Sequence, residues 1–273
     1  MPLISEKPKL LCIGGHDVNM GAGLEMDYAV GSALGCDVFL CPTMHTYQSN
    51  SGLHSVDCID KKDFAEDLQH KLLSDIRAIK IGALGNELIV ESLIRALDDL
   101  NDKPPIIFDP VHSASLSFPG VYLNTASGVQ LAEEELLSRV SLATPNTLEY
   151  GNGLAYKKCP AVLLKGGHDS GVVDYIADTF YLSGQRLFEV RHALYQDVSL
   201  IHGTGCALST AIASLIAKSS GLEDSVICAL SIMQNWIFQA LKENYVLIPK
   251  PIELDKKKLN SNAKKFSGEI FWI

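Results

Sequence analysis

The sequence predicts an α/β fold, a three-layer α/β/α sandwich whose mostly parallel central sheet carries an antiparallel hairpin at one edge. Three observations predict it. Short apolar runs alternate with amphipathic stretches over much of the chain, as in a parallel sheet covered by helices on both faces. The links between these runs read as too long for hairpins, so strands must cross over through helices. The rhythm changes only near Asp178, where two β-prone runs flank the turn-like Ser183-Gly184-Gln185.

Taken in order, strands are expected at residues 10–13, 38–41, 78–81, 106–109, 141–144 and 161–164. Each is an apolar run of the length that a strand buried on both faces needs. Helices are expected at 21–34, 61–74, 87–100 and 129–140, and the edge hairpin at 178–182 and 186–190. Two closing helices follow: residues 206–218 are rich in Ala, Ser, Ile and Leu, and Val226, Leu230, Met233, Ile237 and Leu241 recur at helical spacing. Residues 249–265 carry Pro249, Pro251 and Lys256-Lys257-Lys258, which read as a solvated extension. The domain organisation is therefore one domain over 1–245 and a C-terminal extension over 246–273.

At 273 residues, with 47% hydrophobic and 20% charged residues, the chain can bury a sizeable core without disulfides or a structural metal. A net charge of -9 argues against holding nucleic acid through phosphate neutralisation. A phosphate-bearing small molecule would have to be drawn in by local backbone donors and one or two lysines. The seven cysteines show no Cys-x-x-Cys spacing, which fits a reducing cytoplasm. No apolar stretch reaches the length of a membrane span.

Five segments could carry chemistry. His202-Gly203-Thr204-Gly205-Cys206 precedes a strong helix former, so its backbone N–H groups would be the unpaired donors of a helix start, which bind anions. On the residues alone, a glycine-containing loop that merely starts a helix stays open as a reading. Cys206 would have a lowered pKa there and could act as a base, although an isolated thiol is more often a packing residue. Residues 14–23 follow the first strand, where α/β sheets bind ligands, but match neither the dinucleotide pattern nor a Walker loop. Lys165-Gly166-Gly167-His168 follows another strand, and its ammonium could reach a phosphate. Asp109-Pro110 and Asn146-x-x-Glu149 also sit at strand ends, where carboxylates could hold Mg²⁺ through water or simply cap helices and turns.

Taken in order along the chain, the segments resemble the hydroxymethylpyrimidine/phosphomethylpyrimidine kinase family of thiamine biosynthesis, a ribokinase-like branch that also includes some pyridoxal kinases. The resemblance runs from about Leu10 to Asn244. It rests on Gly14-Gly15-x-Asp17 with Gly21-Ala22-Gly23 and Asp27, Ser32-Ala33-Leu34-Gly35, Thr46-Tyr47-Gln48, Lys80-Ile81-Gly82, Asp109-Pro110-Val111, Thr144-Pro145-Asn146-x-x-Glu149, Lys165-Gly166-Gly167-His168 and His202-Gly203-Thr204-Gly205-Cys206. It implies ATP and Mg²⁺ as cofactors and a pyrimidine alcohol as substrate. Gln48, Gly15, Asp27, Ala83 and Val111 would bind that substrate. Cys206 would take the hydroxyl proton, while Gly203, Thr204 and Gly205 form an anion hole with it. Lys165, Thr204 and Asn146 would contact ATP, and Asp109 and Glu149 would serve the metal. The resemblance further implies a homodimer.

Three positions depart from the family pattern. His16 stands where Ser is usual, Ala83 where a bulky Met commonly packs on the pyrimidine, and His112 where another Met follows Asp109-Pro110-Val111. Residues 150–159 also leave little room for the family's helix after Asn-x-x-Glu. A pyridoxal or pyridoxine kinase, and a non-catalytic ligand-binding homologue, therefore stand beside the pyrimidine kinase as readings.

Overall fold

The computed structural model describes residues 6–17, 22–49, 52–113, 118–167, 175–193, 201–243, 245–251 and 269–272. His168, Gly21 and the Lys256–Lys258 run lie outside them. The chain begins β1 (Lys9–Asp17), α1 (Gly23–Ala33), β2 (Asp37–Ser49), β3 (Gly52–Cys58), α2 (Lys61–Leu72), β4 (Ile76–Ile81), α3 (Glu87–Asp98) and β5 (Ile106–Phe108). It continues α4 (Ala126–Leu131), β6 (Leu142–Ala143), α5 (Thr147–Tyr150), β7 (Ala161–Leu164), β8 (Tyr175–Leu182), β9 (Gln185–Ala193), α6 (Thr204–Ala217), α7 (Leu222–Lys242) and β10 (Glu269–Trp272).

All ten strands form one sheet in the order β10-β9-β8-β7-β6-β5-β4-β1-β2-β3. Strands β7, β6, β5, β4, β1 and β2 run parallel, whereas β8, β9 and β10 at one edge and β3 at the other are antiparallel. The expected α/β/α sandwich is present. One helical layer, α1, α6 and α7, packs on Leu10, Cys12, Ala78, Phe180 and Phe188. The other, α2, α3 and the turn after α4, packs on Leu11, Ile13, Ile79, Ile81 and Phe108. Successive residues of β1 and β4 thus feed opposite cores, because side chains alternate across a strand.

Two expectations need correction. The first concerns connections: β2 continues past residue 41 and folds straight back as β3, pairing Ser49 with Gly52. Polar Thr43, His45 and Gln48 hide the strand pattern there, since an edge hairpin beyond the sheet's rim has no continuous apolar run. The second concerns the end of the chain. Glu269–Trp272 pairs with Phe188–Arg191 as an added edge strand, and Leu247 is buried in the core of the α1, α6 and α7 layer.

The helices start in two ways. Asp60 caps α2 by accepting the Lys62 N–H, Asn86 caps α3 through the Leu88 and Ile89 N–H groups, and Thr125 caps α4 through Gly128. Such side-chain acceptors satisfy donors that a helix start leaves unpaired. Neither α1 nor α6 has a side-chain cap. Their starts meet at the carboxyl ends of the parallel strands, where the Gly23 N–H points at the Cys206 thiol.

Candidate active site

Gly203 precedes α6 in the left-handed conformation, with φ 77, which glycine adopts without steric cost. A methyl group on Gly205 would lie 3.4 Å from Lys165 Nζ and 3.6 Å from Asp109 Oδ2. The uncapped helix start is therefore roofed by one ammonium and one carboxylate. Asp109 follows β5 and is almost fully buried. Its Oδ1 accepts from Lys165 Nζ at 2.8 Å and Thr144 Oγ1 at 3.2 Å, and its Oδ2 from Ser209 Oγ at 3.5 Å. Burial opposes its ionisation, but the charges of Lys165 and Lys80 prevail and hold the carboxyl below its usual range.

Lys165 leaves the end of β7 beside the Pro145 carbonyl, which accepts its N–H at 2.9 Å. Burial alone would lower its pKa; Asp109 and Glu149 raise it instead. Asn146 and Glu149 cap α5 reciprocally, with the Asn146 N–H on Glu149 Oε2 at 2.8 Å and the Glu149 N–H on Asn146 Oδ1 at 2.9 Å. Burial pushes the Glu149 carboxyl up; Lys165 pulls it down and Asp109 adds to the rise, leaving it at about 7. Two carboxylates that repel each other near an ammonium suit a divalent cation, and Mg²⁺ needs only one or two protein carboxylates beside water and phosphate oxygens. Among the described residues no group of three or more His, Cys, Asp or Glu gathers to hold a metal.

The thiol of Cys206 departs from expectation. Burial pushes it up to about 11, helped by Asp27 and Asp109 and opposed by Lys80 and the Gly23 N–H. The helix start does not make it a ready thiolate, because removal from water outweighs the Lys80 charge and the Gly23 N–H.

Of the residues expected to bind substrate, Ala83 and Val111 join an apolar cluster with Met44, Leu53 and Leu123. Met44 was not anticipated. It reaches the space beside Gly15 and Gly85, lying 3.4 Å and 3.0 Å from where their side chains would begin, and so puts a thioether near the small Ala83. Alternation along β2 from Gln48 through Thr46 to Met44 was the signal that could have found it. Gln48 Nε2 donates to Thr46 Oγ1 at 3.3 Å. Asp27, expected to touch substrate, is fully buried instead. Its oxygens accept from Lys80 Nζ at 2.8 Å and Thr210 Oγ1 at 2.6 Å, because its helical position faces β4 and α6.

The departing histidines are tied to acids. His16 Nε2 lies 2.8 Å from Glu25, and its Nδ1 is 3.1 Å from His45 Nδ1. His112 lies 3.7 Å from Glu133 beside a small cavity also lined by Val111; burial lowers its pKa against the opposing pull of Glu133. Asn124 was also missed. Its Oδ1 accepts the Leu84 and Gly85 N–H groups, and its Nδ2 donates to the Val111 and His112 carbonyls. No local sequence pattern marks a residue that acts by bridging two distant loops.

A parallel-sheet sandwich with an uncapped helix start, and with a lysine and an aspartate at the ends of two of its strands, has the layout of the ribokinase-like kinases. The phosphomethylpyrimidine kinase family matches residues 17–152 and 149–249, and this chain belongs to that family. The hydroxymethylpyrimidine/phosphomethylpyrimidine kinase of Escherichia coli is 31% identical over 85% of this chain and 90% of that enzyme. The thiamine biosynthesis protein THI22 of Saccharomyces cerevisiae is 28% identical over 84% of this chain. The match spans only 44% of that yeast protein. Among solved structures, pyridoxal kinase from Staphylococcus aureus in complex with AMP-PCP and pyridoxal superposes with TM-score 0.78 at 21% identity, covering 98% of this chain and all of that one. Phosphomethylpyrimidine kinase from Clostridium difficile 630 gives TM-score 0.68 at 24% identity, covering 86% of this chain. Both share the fold.

Proposed function

We propose that this chain transfers the terminal phosphoryl group of ATP to the hydroxymethyl group of 4-amino-5-hydroxymethyl-2-methylpyrimidine, and to its monophosphate in a second step. The observation that carries the reading is the uncapped start of α6 beneath Lys165 and Asp109. Free N–H groups, an ammonium and a helix dipole together stabilise charge on a transferring phosphoryl, which is most of what this reaction asks of a protein. Asp109 and Glu149 would hold magnesium, which when bound neutralises charge on the phosphate oxygens. Lys165 would exchange Asp109 for the nucleotide phosphates, and Thr204 would add its hydroxyl. Asn146, whose side chain caps α5, would meet the nucleotide through the rim it builds beside Lys165.

Cys206 lies beside both helix starts, where the acceptor hydroxyl must come. Its thiol keeps its proton at neutral pH in the free chain, so its first task is to orient that hydroxyl. To act as the base in the loaded site, Cys206 would first release its own thiol proton to water and then take the proton of the hydroxyl as that oxygen attacks the phosphoryl group. Gly15, Gln48, Ala83 and Val111 would surround the pyrimidine, with Met44 as an added wall.

A pyridoxal kinase is the second reading, favoured by the rearranged wall: Ala83 in place of a bulky residue, Met44 opposite it and His112 nearby. Magnesium-dependent ADP release from purified protein separates the two. The pyrimidine alcohol is expected to be turned over faster than pyridoxal. Equal or reversed rates overturn the pyrimidine assignment, and ADP binding without turnover of either leaves a nucleotide-binding homologue.

A further inference from the structure

Beneath the Lys165 turn lies a buried pair that the site described above does not use. Asp178 in β8 and His192 in β9 are 7% and 3% exposed. They lie diagonally across the antiparallel pairing, in which Asp178 faces Val190 and Ile176 faces His192. His192 Nε2 is 2.9 Å from Asp178 Oδ2, and Asp178 Oδ1 accepts the Gly166 N–H at 3.0 Å. A side chain on Gly166 would begin 2.2 Å from the Ala177 carbonyl oxygen, so the turn lies directly against the β8 backbone.

Lys165 is therefore held from two directions. On one side its own N–H binds the Pro145 carbonyl; on the other, the next residue is pinned by Asp178. A buried carboxylate is costly unless its oxygens are matched by donors, and here Gly166 and His192 supply them. The flexible Lys165 side chain can find a phosphate only if its backbone is fixed, since positioning is what the protein contributes to phosphoryl transfer.

We propose that Asp178 and His192 are positioning residues for a nucleoside triphosphate, acting through Gly166 to fix the Lys165 turn beside the start of α6. This rests on the kinase reading given above. His192 keeps Asp178 Oδ2 occupied, so that Oδ1 stays aimed at Gly166. The pair touches no reacting atom.

The test compares His192→Leu, His192→Gln and Asp178→Ala by steady-state kinetics and by calorimetric titration with ADP. His192→Leu and Asp178→Ala are expected to raise KM for ATP about tenfold, the factor that one charge-assisted hydrogen bond supplies. KM for the acceptor alcohol should change by less than about twofold. His192→Gln keeps an N–H donor toward Asp178 and is expected to restore most of the ATP affinity, a rescue that a purely structural role does not require. Should Asp178→Ala fail to fold, the two His192 variants still decide the matter. Unchanged ADP affinity in His192→Leu, or equal loss in the Leu and Gln variants, overturns the inference while leaving the kinase reading intact. A wild-type chain that binds no nucleotide overturns both.

Discussion

Lys80 and Lys165 each place an ammonium 2.8 Å from an aspartate oxygen, on Asp27 and Asp109 respectively, and there the likeness ends. Both members of the first pair are sealed between β4, α1 and α6, with side-chain exposures of 1% and 0%. Burial alone would take the Lys80 proton; Asp27 reverses this and holds its pKa above the usual value. In the second pair Lys165 keeps 16% of its side chain open and lies over the bare start of α6. Equal length therefore says little about role. What separates the pairs is whether a competing anion has somewhere to arrive.

Removing one charge should break the comparison most sharply at the sealed site. Lys80→Met strands Asp27 without a cation and is expected to cost ~3–5 kcal/mol in denaturant unfolding, with much of the loss recovered in Lys80→Met/Asp27→Leu. A cost below about 1 kcal/mol would mean that the two pairs are alike. Lys165→Ala is expected to be milder for stability, because Asp109 retains Thr144 and Ser209 and water can reach the gap. Its effect falls on catalysis, with kcat/KM for ATP down about 10²–10³-fold. A stability loss as large as that of Lys80→Met, with turnover spared, would invert the assignment.

The smallest effect concerns Glu149, whose charge adjoins only the open pair. Its folded pKa, about 7, stands above the ordinary value of 4.5. The fold therefore favours the protonated acid: this contribution to stability is complete below pH 4.5 and is lost as pH rises toward 7. Glu149→Gln removes that loss. Its melting temperature should draw ahead of wild type across this window, by about 6–12 °C at the upper end, the shift that the ~3 kcal/mol of this linkage gives a chain of this size. A constant gap at all pH values would show that the carboxyl titrates normally.

Much of this was legible in the sequence, for physical reasons. Buried parallel strands must be apolar on both faces, so β1, β4, β5, β6 and β7 announce themselves. The glycines at 203 and 205 advertise a helix start that side chains leave open. By contrast, β3 and the outer half of β2 mix polar residues such as Thr43, His45 and Gln48 with buried Met44 and Leu53, and the four-residue β10 follows a proline- and lysine-bearing tail. The elevated Cys206 pKa was illegible because a dipole is read locally, whereas desolvation depends on what packs around it. Asp27 misled for the same reason: its helix places it inward, toward Lys80.

Asn124 has a consequence for motion. By joining the Leu84 and Gly85 amides to the Val111 and His112 carbonyls, one side chain continues the sheet's cross-linking past the ends of β4 and β5. The two loops beside Ala83 and Val111 are thereby tied to each other by four hydrogen bonds from one side chain. If the proposed substrate ring enters between them, part of the ordering it would otherwise have to impose was completed when the chain folded. In the proposed reading, acceptor preference would accordingly be set by the shapes of Met44, Ala83 and His112, against a backbone that Asn124 already ties together.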